Sequence, residues 1–229
     1  MSWFSQFLNS SIGSKLVMSL TGLFLILFLA VHLAGNLQLL KDDGGEAFNT
    51  YAYFMTHNPL IKVISYGNYF FILFHAFTGV RLWLANRAAR GGVNYAVQST
   101  KNSGFSARNM AWFGIIIFVF IVLHMVQFWG VMHFGNLAEV NYPNYPHPVA
   151  DLFTLVADTY KNGLFVAFYV ISMAVVGFHL WHGFQSAFQT LGLNHKKYTP
   201  LIKFIGMALS AVLSVGFAII PILSFFKNQ

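Results

Sequence analysis

Five histidines stand inside long apolar stretches of this 229-residue chain: His32 in LFLAVHLAGN, His75 in FFILFHAFTG, His124 in VFIVLHMVQFW, and both His179 and His182 in GFHLWHGFQSAFQTLG. A polar ring in such a setting is costly and usually has a partner or a task. Imidazole can hold a metal through a neutral ring nitrogen, or pass a proton. A single histidine of this kind is explained by a structural hydrogen bond; four successive stretches each carrying one need a shared cause. His57, His133, His147 and His195 fall at the ends of apolar runs or between them and are expected to be ordinary interfacial groups. The chain has no cysteine, which excludes thiolate zinc, iron-sulfur ligation, covalent c-type haem attachment and disulfides. Any metal is left to histidine or oxygen.

The elements that must position these rings are read from composition. Hydrophobic residues make up 57% of the chain and charged residues 8%, against about 25% charged in a soluble domain. A bilayer-crossing helix needs about 20 mostly apolar residues, and five runs qualify: about 16–40, 60–86, 109–135, 163–190 and 201–226. The expected fold is all-α, one domain over 1–229, a bundle of five transmembrane helices. The first run is too long for the apolar core of a signal peptide and no small-residue cleavage site follows it, so it is expected to be retained. The preceding MSWFSQFLNSSIGSK mixes Trp3, Phe4, Phe7, Leu8 and Ile12 with Ser and Asn, as suits a short helix lying in the interface.

Charge sets the expected orientation. The N-terminus and the connections after the second and fourth runs hold Lys15, Arg81, Arg87, Arg90, Lys101, Arg108, Lys196, Lys197 and Lys203 with no acidic residue; the other side holds four lysines and all six acids. Positive residues favour the cytoplasmic side, so the N-terminus is expected inside and the C-terminus outside. The basic face suits anionic lipid or a docked partner, and no nucleic-acid module is present. The connection over 86–109 reads as irregular surface, and the Pro- and Tyr-rich NLAEVNYPNYPHPV as a cap over the outer end.

Depth orders the histidines. Counted from the cytoplasmic ends of their runs, His32 stands at 16 residues and His124 at 15, while His75 and His179 each stand at 11 and His182 at 8. Two imidazoles level on facing helices can ligate one planar macrocycle from both sides, the arrangement of a six-coordinate b-type haem. Two such haems, one above the other, would span much of the membrane. Zinc would want more ligands in one shell, and a histidine proton relay gives no reason for level pairs. Gly22, Gly35, Gly79, Gly177 and Gly183 allow close backbone approach around such a group, though small residues also serve ordinary helix contacts. Ser19, Arg81, Arg108 and His182 are candidate donors to haem propionates near the cytoplasmic ends, with snorkelling to headgroups the competing role for Arg81.

These residues resemble the dihaem cytochrome b membrane anchor of the succinate dehydrogenase and fumarate reductase family, in its single-chain, five-helix form. The resemblance runs through SLTGLFLILFLAVH, HAFTGVRLW, the lone His124 and FHLWHGFQSAFQTLG, and covers nearly the whole chain. It implies that His32 and His124 hold an outer haem and His75 and His179 an inner one, with His182 as the alternative fourth-helix ligand, since family members match either position. It further implies a flavoprotein subunit and an iron-sulfur subunit on the cytoplasmic face of a bacterial cytoplasmic membrane. Electrons from succinate oxidation would reach the two haems and then a quinone, with menaquinone the expected species. The chain makes no bond on succinate itself. A quinone site needs proton delivery near the outer haem, and Asp42, Asp43 and Glu46, just beyond His32, are its candidates. Rival readings are the membrane cytochrome b of another quinone-linked oxidoreductase, such as a nitrate reductase or formate dehydrogenase, whose histidines lie far apart on one helix, and a haem-free transporter with histidine-lined proton pathways.

Overall fold

The computed structural model describes residues 2–90 and 104–227. The loop expected over 86–109, with Lys101, falls largely outside them. Among the described residues, five helical spans are long and apolar enough to cross a membrane: Ser11–Leu40, Pro59–Ala89, Phe105–Phe134, Gly163–Thr190 and Thr199–Lys227. The chain is therefore built as a multi-pass, membrane-embedded bundle. In chain order the helices are α1 (Trp3–Asn9), α2 (Ser11–Asn36), α3 (Glu46–His57), α4 (Pro59–Arg90), α5 (Phe105–His124), α6 (Val131–Phe134), α7 (Leu152–Tyr160), α8 (Gly163–Thr190) and α9 (Thr199–Lys227).

The first span starts five residues earlier than hydropathy suggests, for a capping reason. Ser10 is extended, and its hydroxyl accepts the Gly13 N–H at 3.0 Å, satisfying a first-turn donor that would otherwise be unpaired. The same serine ends α1, so the chain bends there. Trp3 and Ile12 are three-quarters exposed, as an interfacial segment requires.

Outward-facing side chains along the spans are large and apolar: Leu27, Leu73, Phe77, Ile171, Val212 and Val215 are all at least 60% exposed. In water such a surface would be a liability; in lipid it is the solvated face. The core runs between α2, α5, α8 and α9 and includes Leu33, Phe120, Tyr169, Met173, Leu180 and Leu213. Glycines let the helices meet. A Cβ at Gly206 would stand 2.6 Å from the Phe184 ring, one at Gly216 2.7 Å from Leu33, and one at Gly177 3.0 Å from Ser214 Oγ. Gly177 thus serves the α8–α9 contact. Buried hydroxyls return to their own helix: Ser172 donates to Phe168 O at 2.7 Å and Ser210 to Gly206 O at 2.6 Å. Without water in the hydrocarbon layer, internal partners of this kind are needed.

At the end where α2 finishes, a cap forms from α3, α7 and a two-stranded antiparallel ribbon pairing Glu139–Val140 with Val149–Ala150. Its hub is Asn49, 1% exposed. The Asn49 amide donates to Tyr142 OH at 2.9 Å and Asp151 Oδ1 at 3.1 Å, while its oxygen accepts the Phe153 N–H at 2.8 Å. The NLAEVNYPNYPHPV segment is therefore part of a built lid over the bundle.

Candidate functional site

Four helices bring their histidines into two facing pairs. The rings of His32 on α2 and His124 on α5 lie 5.9 Å apart between centroids, with their planes at 85°. Those of His75 on α4 and His179 on α8 lie 6.3 Å apart at 73°. Two rings binding one metal from opposite sides through nitrogens at about 2 Å would have centroids roughly 6 Å apart. Both separations match that requirement.

The pairs are stacked along the bundle. His75 Nδ1 lies 2.9 Å from Thr21 Oγ1, which sets the second pair level with Thr21 on α2. Eleven residues separate Thr21 from His32, three full turns, so the pairs sit on one face of α2 about 16 Å apart at 1.5 Å per residue. One continuous cavity of about 2370 Å³ is lined by all four rings, with His182 also on its wall. Cavities that hold one small ligand are about 300–1,000 Å³, so this one has room for more than one large planar group. His179 Nδ1 is buried without a hydrogen-bond partner among the described residues. A buried nitrogen with no partner is costly. Ring spacing and cavity volume fit a bis-histidine haem at each level.

The His32–His124 pair is supported from behind. His124 Nδ1 approaches Tyr169 OH at 3.4 Å, and that hydroxyl donates to Gln127 Oε1 at 2.7 Å. Phe28 stacks on His32 at 5.2 Å and Phe120 on His124 at 5.7 Å. Immediately after His124 the helix widens into a π-helical segment, Met125–Gly130, before resuming as α6. Such widening recurs at functional sites. Here it turns Phe128 and Trp129 onto the cavity wall.

The remaining candidates divide. Ser19 is buried on the cavity wall with its hydroxyl donating to Lys15 O at 2.9 Å, and Arg108 also lines the cavity. Arg81 is drawn elsewhere: its guanidinium donates to Leu8 O at 3.0 Å and to the Ser14 hydroxyl, tying the α1–α2 bend to α4. Asp42, Asp43 and Glu46 do not line the cavity. Asp42 pairs with Lys227 at 2.9 Å, and this lysine holds its carboxyl below the ordinary value. Asp43 accepts the Gly45 and Ala47 N–H groups, each at 3.0 Å, and Glu46 opens α3. Of the glycines, Gly22 lies against the His75 ring and Gly35 against Tyr51, while Gly79 and Gly183 have room for a methyl. His57, His133 and His195 are exposed, and His147 is half-buried in the lid.

Sequence reasoning missed Thr21, Tyr169 and two buried polar groups on the cavity wall, Asn68 and Trp129. Asn68 Oδ1 and Trp129 Nε1 have no hydrogen-bond partner among the described residues. A signal existed for two of these: Thr21 is 11 residues from His32 and Asn68 is seven from His75, spacings that return to the same helix face. No family model, curated protein or solved structure matches this chain.

Proposed function

We propose that the chain is the dihaem cytochrome b membrane subunit of a succinate:quinone oxidoreductase, carrying electrons between an iron-sulfur partner at the membrane surface and quinone within the bilayer. The observation that carries this reading is the meeting of four histidines from four helices as two facing pairs, each about 6 Å across, in one large cavity. His32 with His124 would hold one haem, and His75 with His179 the other. Bound there, the two haems would supply reversible one-electron exchange at two levels of the membrane.

The chain's own residues supply position and environment. Apolar walls such as Phe28, Phe120 and Phe128 keep water from the rings and lower the local dielectric, which tunes a redox centre. Ser19, Arg108 and His182 stand where propionates at the α1 end of the cavity would want donors. Toward the lid, Trp129 offers an unpaired N–H and Asn68 an unpaired carbonyl. A quinone or quinol, which both accepts and donates, suits that pair better than the acidic residues 42, 43 and 46, which are engaged outside the cavity.

The basic end of the bundle, with Lys15, Arg87, Lys196, Lys197 and Lys203, is assigned to the cytoplasm, where the flavoprotein and iron-sulfur subunits would dock; the lid lies outside. A bacterial cytoplasmic membrane is the implied location. The test is a reduced-minus-oxidised spectrum of the purified chain or its native complex, together with haem content per polypeptide. Two b-type haems per chain are expected, and absence of b-type bands would end the reading.

A further inference from the structure

Among the four paired histidines, His75 has the hydrogen bond whose direction is best determined. Thr21 Oγ1 lies 2.7 Å from Val17 O and 3.3 Å from Met18 O. Both are carbonyls and only accept, so the hydroxyl proton is committed to them. The same oxygen is 2.9 Å from His75 Nδ1, and with its proton spent it can only accept. His75 Nδ1 therefore carries the hydrogen, and in a neutral imidazole that leaves Nε2 as the nitrogen with the free lone pair. Thr21 is 4% exposed, so no solvent competes for the bond. Gly22 makes the approach possible: a Cβ there would stand 3.3 Å from His75 Cε1 and 3.8 Å from Nδ1, crowding the ring away from the hydroxyl.

The opposing ring differs. His179 Nδ1 has no partner among the described residues. In the other pair, His124 Nδ1 meets Tyr169 OH at 3.4 Å, and the Asn36 amide nitrogen stands 3.4 Å from His32 Nδ1 and 3.5 Å from its Nε2. The shortest contact from a paired ring to a side-chain hydroxyl is thus the one between His75 and Thr21.

Resting on the dihaem reading, we propose that Thr21 is a positioning residue for the haem held by His75 and His179. It fixes the His75 tautomer so that Nε2 faces the metal. By accepting the Nδ1 hydrogen it makes the ring a stronger donor, which favours the oxidised metal and lowers that haem's potential.

The test uses the native complex carrying Thr21→Val, which keeps the shape and removes the acceptor, and Thr21→Ser, which keeps the hydroxyl. The readout is a redox titration followed at the b-type bands, with each haem identified by its loss in His75→Ala or His32→Ala. In Thr21→Val the midpoint of the haem lost in His75→Ala should rise while the other stays put, and Thr21→Ser should return toward wild type. Gly22→Ala, which displaces the ring with Thr21 intact, should move the same haem in the same direction. If Thr21→Val loses that haem altogether, retention of both haems at wild-type potentials in Thr21→Ser supports the proposal, and loss in both variants overturns it. Unchanged midpoints, a shift of the other haem, or a serine variant displaced as far as the valine variant would also overturn it. Absence of b-type bands from wild type would instead sink the dihaem reading beneath it.

Discussion

His179 and His182 show how much a few ångströms decide at the scale of single residues. Three positions apart on α8, they project within about 60° of each other and differ in depth by about 4.5 Å, and it is His179 whose ring meets His75. If the proposed dihaem reading holds, haem analysis of single alanine variants of the protein in its native membrane should follow the two pairs. His32→Ala and His124→Ala should each leave one haem per chain, His75→Ala and His179→Ala should each leave the other one, and His182→Ala should keep both. A His182→Ala protein with one haem beside a His179→Ala protein with two would reverse the assignment. The depth of each histidine was readable because helical rise converts residue count into height. Spacing could put Thr21 on the His32 face of α2, but not behind His75, because the two are 54 residues apart in the chain and only the packing of α2 on α4 brings them together.

At the scale of elements, the lid was the least legible part. Hydropathy marks where a span stops, but α3, α7 and the ribbon are held by polar bonds that carry no periodic signal. Asn49→Ala would remove three of those bonds and leave the half-buried Phe153 N–H without its acceptor, a loss of about 1–3 kcal/mol. Hydrogen exchange over 136–160 should rise in that variant while the five spans stay protected. Acid should loosen the same segment. Burial alone would push the Asp151 carboxyl up, but bonds from Thr154 and Asn49 outweigh it and hold it below its ordinary value. A carboxyl lowered by folding stabilises the fold at any pH above the unfolded value of about 3.9 and loses that contribution as pH falls through the lowered one. Exchange in the lid should therefore begin to rise below about pH 4, and if it stays flat down to pH 2 the Asp151 contribution is absent.

For the whole molecule, orientation is a matter of summed charge, and the absence of cysteine gives a clean way to measure it. A single cysteine in place of exposed Asn144, in the lid, should react with a membrane-impermeant thiol reagent in intact cells. One in place of Lys197, between α8 and α9, should react only after the membrane is opened. The reverse labelling pattern would invert the bundle and place any partner-docking surface at the lid. What the sequence by itself determined is what is local and additive: five spans from the free energy of moving apolar side chains out of water, charge asymmetry from a count, and histidine depth from a constant rise per residue. Tertiary structure alone decided what depends on rotation and contact. It turned the level histidines toward each other across about 6 Å, opened one cavity around both pairs, gave Gly177 to helix packing and Arg81 to the α1–α2 bend, and set Thr21 behind His75. The physical reason is that depth along a helix is fixed by its own backbone, whereas the direction a side chain faces in a bundle is fixed by every helix packed around it.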